Sequence, residues 1–131
     1  MRILELHCDY VAYKPTQKAL KSIADLGEED KKEKRLENVL AVFTTMEKGD
    51  EKASVEQAAL EVKKNFLEVK AKTILLYPYA HLSSNLAKPD EAIKLLDSFL
   101  LEIRKFCPSA EKSPFGYYKS FELKCKGHPL A

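Results

Sequence analysis

The sequence predicts an α/β domain in which short strands build a sheet and two helices pack on it. Three observations point that way. Residues 39–46 and 73–77 are short, apolar runs rich in branched side chains and bounded by polar residues or proline, the pattern of buried strands. Residues 55–69 and 92–103 repeat apolar side chains every three or four positions, the period of a helix with one buried face. Residues 121–126 alternate apolar with charged side chains, the period of a half-buried strand.

Taken in order, Ile3-Leu4-Glu5-Leu6-His7-Cys8 reads as a first strand that ends in a polar turn at Asp9. Residues 14–37 carry the charge run Glu28-Glu29-Asp30-Lys31-Lys32-Glu33-Lys34-Arg35 and read as an exposed connector with room for one short helix. Residues 39–46 form a buried central strand, stopped by Lys48-Gly49-Asp50. Ser54, with Gln57 three residues on, caps a helix of about 15 residues whose buried stripe is Val55, Ala58, Ala59, Val62, Phe66 and Val69. Pro78 closes the strand at 73–77 because it has no N–H to donate. Pro89 suits the first turn of a second helix that runs to Cys107-Pro108. A C-terminal β-hairpin follows, with its bend near Phe115-Gly116.

The length of 131 residues and the balance of 22 Lys+Arg against 20 Asp+Glu suit a single domain over 1–131. The abrupt end at Gly127-His128-Pro129-Leu130-Ala131 is what a piece excised from a longer chain would show. A net charge of +2 is too small to draw a polyanion unless a local patch does so. Cys8, Cys107 and Cys125 are an odd set without a C-x-x-C pair, which suits free thiols in a reducing cytoplasm. No apolar run approaches the roughly 18 residues that read as a membrane span, so no membrane partner is expected. No metal site is expected, since Cys and His nowhere fall in two close pairs. Neither G-x-G-x-x-G nor G-x-x-x-x-G-K-[ST] occurs, which argues against a bound nucleotide cofactor and ATP hydrolysis.

Two side chains stand out for chemistry. Carrying the final alternation backward puts Lys119 in the apolar row Tyr117, Phe121, Leu123, Cys125, where burial would lower its pKa as in an active site; a bulge at Gly116 or Ser120 would instead turn it to water. His81 follows a strand end beside Tyr79, on a loop from which a side chain can reach a cleft or simply face solvent. Cys125, on the apolar row, reads as a pocket wall rather than a nucleophile. Pro114-Phe115-Gly116-Tyr117-Tyr118-Lys119 gathers three aromatics and a cation, a composition that serves either base stacking or core packing.

Tyr77-Pro78-Tyr79-Ala80-His81-Leu82-Ser83-Ser84, Pro114-Phe115-Gly116-Tyr117-Tyr118-Lys119 and Cys125-Lys126-Gly127-His128-Pro129-Leu130-Ala131, together with Leu6-His7-Cys8-Asp9-Tyr10, resemble the amino-terminal editing domain of archaeal threonyl-tRNA synthetases. The resemblance covers nearly the whole chain in order. It implies a fold like that of D-aminoacyl-tRNA deacylases, a cytoplasmic homodimer, and hydrolysis of serine wrongly esterified to threonine tRNA. The implied partners are that tRNA and the remainder of a synthetase chain. No cofactor is implied for this domain, ATP and zinc belonging to an aminoacylation domain. By resemblance Lys119 and His81 lie near the scissile ester, and Tyr118 and Ala80 hold the seryl group largely through backbone atoms. Pro78, Tyr79, Met46, Phe115, Tyr117 and Cys125 then fall at the pocket for the amino acid and terminal adenosine. The family pattern places a glutamate in that pocket just after His-Pro-Leu-Ala, a position this sequence does not reach.

The implied chemistry is attack of water on an activated ester, which needs a positioned water, a stabilised oxyanion and a protonated leaving oxygen. Selectivity follows from size. One methyl is worth about 1–3 kcal/mol, too little for a synthetic site to reject serine, so a second pocket that admits serine and excludes threonine corrects the error. The same fold extends the expectation to D-aminoacyl-tRNA. The alternative is a non-catalytic tRNA-binding or dimerisation module, in which the 115–119 cluster stacks a base and Lys124 and Lys126 meet phosphate.

Overall fold

In the computed structural model, which describes residues 1–130, five strands form one mixed sheet in the order β4-β3-β2-β1-β5. The strands are β1 (Arg2–Lys18), β2 (Lys34–Thr45), β3 (Thr73–Pro78), β4 (Glu111–Lys112) and β5 (Tyr117–Cys125), and the helices are α1 (Lys52–Val69) and α2 (Pro89–Arg104). Single 3-10 turns occupy Glu29–Lys31 and Ala80–Leu82. β2, β3 and β4 run parallel, whereas β1 is antiparallel to both β2 and β5. The apolar run at 39–46 therefore belongs to the central strand, buried on both faces as its composition predicts.

Alternation along β2 and β3 splits the interior in two. Leu40, Val42, Ile74 and Leu76 face the helices and pack with Val55, Ala59 and Val62 of α1 and Ala92, Leu96, Phe99 and Ile103 of α2. Val39, Ala41, Phe43, Leu75 and Tyr77 face the other way, with Cys8, Val11 and Tyr13 of β1. Neither α1 nor α2 contributes to the second cluster, yet its residues are buried. The sheet curls to cover itself. The Phe121 ring of β5 lies 5.3 Å from Tyr77 and 5.8 Å from Phe43, although β5 and β3 are not neighbours in the sheet.

The curl begins at Asp9. Cys8 pairs with Cys125 and Tyr10 with Lys124, so β1 carries one extra residue there, a bulge that sharpens the local twist. Asn38, between the β1 partners Val39 and Glu37 on β2, takes a left-handed φ of 47°. Beyond this point the inward side chains of β1 switch from Leu6 and Cys8 to Val11 and Tyr13. Lys126 donates to Asp9 at 2.6 Å, and with that bond, aided by Lys124, holds the Asp9 carboxyl below its usual range. The strand expected to stop at Asp9 thus continues to Lys18, because the bulge leaves that carboxylate outside the ladder, against lysines. The connector shrinks to residues 19–33, with its one short helix reduced to a single turn.

The capping box of α1 lies three residues earlier than expected, with Ser54 as its inner member instead of the N-cap and Glu51 in place of Gln57 as its partner. The N-cap is Glu51, whose side chain accepts from the Ser54 N–H while Ser54 Oγ accepts from the Glu51 N–H at 3.2 Å. α2 opens with Pro89 in its first turn, as the sequence indicates. The C-terminal hairpin is not formed. β4 adds in parallel to β3 at one edge of the sheet and β5 pairs with β1 at the other. Alternation identifies a strand but carries no record of its partner.

Candidate functional site

The parallel arrangement sends the carboxyl ends of β2, β3 and β4 to one side, where open α/β sheets bind ligands. A cavity of about 590 Å³ opens there, within the range of small-molecule sites. Thr44, Thr45 and Met46 from the end of β2 meet Tyr77, Pro78 and Tyr79 from the end of β3. Pro78 has no N–H, but the Tyr79 N–H donates to the Thr44 carbonyl at 2.9 Å, and the Thr45 hydroxyl donates to the Tyr79 carbonyl. These bonds fix the start of the Ala80–Leu82 turn, whose Ala80 and His81 line the cavity. His81, exposed at the rim, sets its ring edge-on to Tyr79 at 5.0 Å.

β5 supplies the opposite wall. The curl that brings Phe121 onto Tyr77 also brings Lys119, two residues earlier on the same face, over the Tyr77 ring. Lys119 Nζ donates to the carbonyls of Pro114 at 2.7 Å and Tyr117 at 3.1 Å. Burial lowers its pKa from the ordinary 10.5 to about 8. The odd-numbered row that predicts an inward Lys119 is therefore the one observed. Burial, and then Tyr79, pushes the Tyr77 phenol up to about 12.

Nine of the residues singled out from sequence share this cavity: Lys119, His81, Tyr118, Ala80, Pro78, Tyr79, Met46, Phe115 and Tyr117. Cys125 does not. Six residues beyond Lys119 on an extended strand, roughly 20 Å away at a strand's rise, it pairs with Cys8 beside the bulge, and the expectation of a pocket wall is corrected accordingly. Burial, with the neighbouring Cys125 thiol and Asp9, pushes the Cys8 thiol up to about 12. Residues not singled out as site residues from sequence also line the cavity, among them Ala19 and Leu20, Thr44 and Thr45, and Leu86 and Ala87. Phe121 could have been found from its place in the row of Lys119. Nothing in the composition of residues 19–20 marks them.

Among the described lining residues the ionisable side chains are Lys119, His81 and four tyrosines, with no carboxylate or thiol. The wall can donate hydrogen bonds and present one cation to developing negative charge. It offers neither a carboxylate base nor a cysteine nucleophile. Among the described residues no three His, Cys, Asp or Glu side chains gather as a metal site, and no helix is long and apolar enough to cross a membrane.

This curled sheet with a cavity at its parallel strand ends is the D-aminoacyl-tRNA deacylase-like fold. A "probable eukaryotic D-amino acid tRNA deacylase" superimposes with a TM-score of 0.57 over 95% of this chain and 94% of that one, at 12% identity. The c-Myc DNA unwinding element binding protein superimposes at 0.77 over 97% and 93%, again at 12% identity. At the level of sequence, the chain belongs to the archaea-specific editing domain family of threonyl-tRNA synthetase, whose profile matches residues 1–131. The whole chain is 48% identical to part of the threonine–tRNA ligase of Thermococcus onnurineus and 43% identical to part of that of Nitrosopumilus maritimus. It spans only 21% and 20% of those proteins.

Proposed function

We propose that this domain removes L-serine wrongly esterified to threonine tRNA, and that the cavity at the ends of β2 and β3 is where the ester is cut. The observation that carries the reading is the half-buried Lys119 ammonium, held by two backbone carbonyls in a cavity whose described lining holds no carboxylate. Water attacks the ester carbonyl carbon, negative charge develops on the carbonyl oxygen, and Lys119 stabilises it or positions the water. The bond to the ribose oxygen then breaks, and that oxygen takes up a proton. With no carboxylate on the described wall, a ribose hydroxyl of the tRNA assists proton transfer. His81 at the rim orients substrate or water, and backbone groups around Ala80 and Tyr118 hold the seryl group.

Short backbone-built walls suit discrimination by size, because peptide groups do not change rotamer to admit an extra methyl. The reading extends to D-aminoacyl esters, to action in the cytoplasm as a homodimer, and to service within a larger synthetase chain. The test is loss of ester from seryl-tRNA and threonyl-tRNA, each against buffer. Faster loss of the seryl ester alone supports the reading. Equal rates on the two reject the size filter, and tRNA binding without loss of either ester favours a non-catalytic module. D-seryl-tRNA stable at the buffer rate removes the extension to D-amino acids.

A further inference from the structure

Between β1 and β2 the chain does not wander through solvent. The N–H groups of Ala19 and Leu20 both donate to the Gly116 carbonyl, at 2.8 and 3.3 Å. The Tyr117 hydroxyl donates to the Ala24 carbonyl at 2.6 Å, and Lys18 pairs with Asp25 at 2.6 Å. Ile23 lies against Gly116 so closely that a Cβ on that glycine would sit 2.4 Å from Ile23 Cγ1. Gly116 also has φ 81°, a conformation that other residues adopt with strain. Residues 19–25 therefore form a strap fastened to the turn that precedes Lys119, and Ala19 and Leu20 present it to the cavity.

The turn beneath the strap is the one that holds Lys119, since the carbonyls of Pro114 and Tyr117 accept both of its bonds. We propose that this strap sets the solvation of Lys119, and that Tyr117 is a positioning residue whose hydroxyl locks the strap shut instead of binding substrate. The groups facing Lys119 are the Tyr77 ring of β3 and the two turn carbonyls, with Pro15 opposite it on β1. Tyr79, Tyr118 and His81 share its cavity, and the Lys18–Asp25 pair joins the end of β1 to the strap. None of these supplies a carboxylate to the ammonium, so exclusion of water is what lowers its pKa. Opening the strap would hydrate Lys119 and return its titration toward that of an ordinary lysine.

The test is Tyr117→Phe, which removes one hydroxyl and keeps the ring. The Lys119 titration is followed by NMR of side-chain-labelled lysine in the free protein, with amide exchange over residues 19–25. An upward move of the Lys119 midpoint by about half a unit or more, with faster exchange in the strap, is expected. An unchanged midpoint with an unchanged strap overturns the proposal, and so does a loosened strap with an unchanged midpoint. If Tyr117→Phe misfolds, Ile23→Ala, which thins the strap over Gly116, is read the same way. The link to catalysis rests on the function proposed above, but this readout needs no substrate. Should the protein cut no ester, the titration result still stands or falls by itself.

Discussion

Lys119 Nζ lies 4.9 Å from the centroid of the Tyr77 ring. The two residues sit on β5 and β3, with β2 and β1 between them in the sheet, and the curl of the sheet makes them neighbours, with pairing of β1 to β5 irregular both at Asp9 and between Pro15 and Lys18. The ring and the two turn carbonyls replace part of the hydration of the ammonium without neutralising it. A cation left in this state favours negative charge that appears beside it.

Deacylation should therefore depend on the protonated form of Lys119. After subtraction of the buffer rate, seryl-ester loss should hold up to near neutral pH and fall as pH rises through about 8. Lys119→Met should reduce the single-turnover rate by about 100-fold or more, the effect of removing an oxyanion donor. A rate within twofold of the parent would end the central role given to that lysine.

The same substitution should make the fold more stable. The pKa of Lys119 is lower folded than unfolded, so between about 8 and 10.5 the unfolded chain binds more protons and stability rises with pH. Below about 8 the penalty is present in full. Lys119→Met should add about 1–3 kcal/mol at pH 7 in urea unfolding, with the gain shrinking as pH rises from about 8 to 10.5. A destabilised variant at pH 7 would show that the bonds to Pro114 and Tyr117 outweigh desolvation.

A directional chain ties the carboxyl end to β1. The Leu130 N–H faces His128 Nδ1 at 3.1 Å, His128 Nε2 faces His7 Nδ1 at 2.8 Å, and His7 Nε2 faces Asn38 Oδ1 at 2.8 Å. With Leu130 as donor, every link is satisfied when both rings are neutral and carry hydrogen on Nε2. His128→Ala leaves the buried His7 without its donor and should cost about 1–2 kcal/mol. Faster exchange of the Lys126 amide, which donates to the His7 carbonyl at 2.8 Å, should accompany it. Unchanged stability and exchange would mean that the chain of bonds does not hold the end in place.

Glu5 is a second misfit. Asn65 donates to one of its oxygens at 2.6 Å, while the other is buried without a partner. Burial, reinforced by Glu61, raises its pKa despite the Asn65 bond, so stability falls as pH rises above the ordinary carboxylate range through the raised value. Glu5→Gln keeps an acceptor for Asn65 and removes the charge. Allowing for screening by water, a gain of up to about 1 kcal/mol at pH 7 is expected, and none at pH 3. Thermal unfolding at the two pH values measures it, and an equal effect at both would assign the change to packing.

The sequence by itself determined the strands at 39–46 and 73–77 and both helices, because each follows from periodicity within one segment, and the same periodicity offered the inward face of β5 as one of two readings. It also pointed to the segments around Ala80 and Lys119, through a family resemblance carried by contiguous residues. What it could not contain was pairing. The bulge that carries β1 past Asp9, the placing of β4 and β5 on opposite edges, the removal of Cys125 from the cavity and the strap over Gly116 are all relations between distant residues. Tertiary structure decided those, since a polar residue ends a strand or bulges from it according to what waits to meet it: here, for Asp9, Lys126.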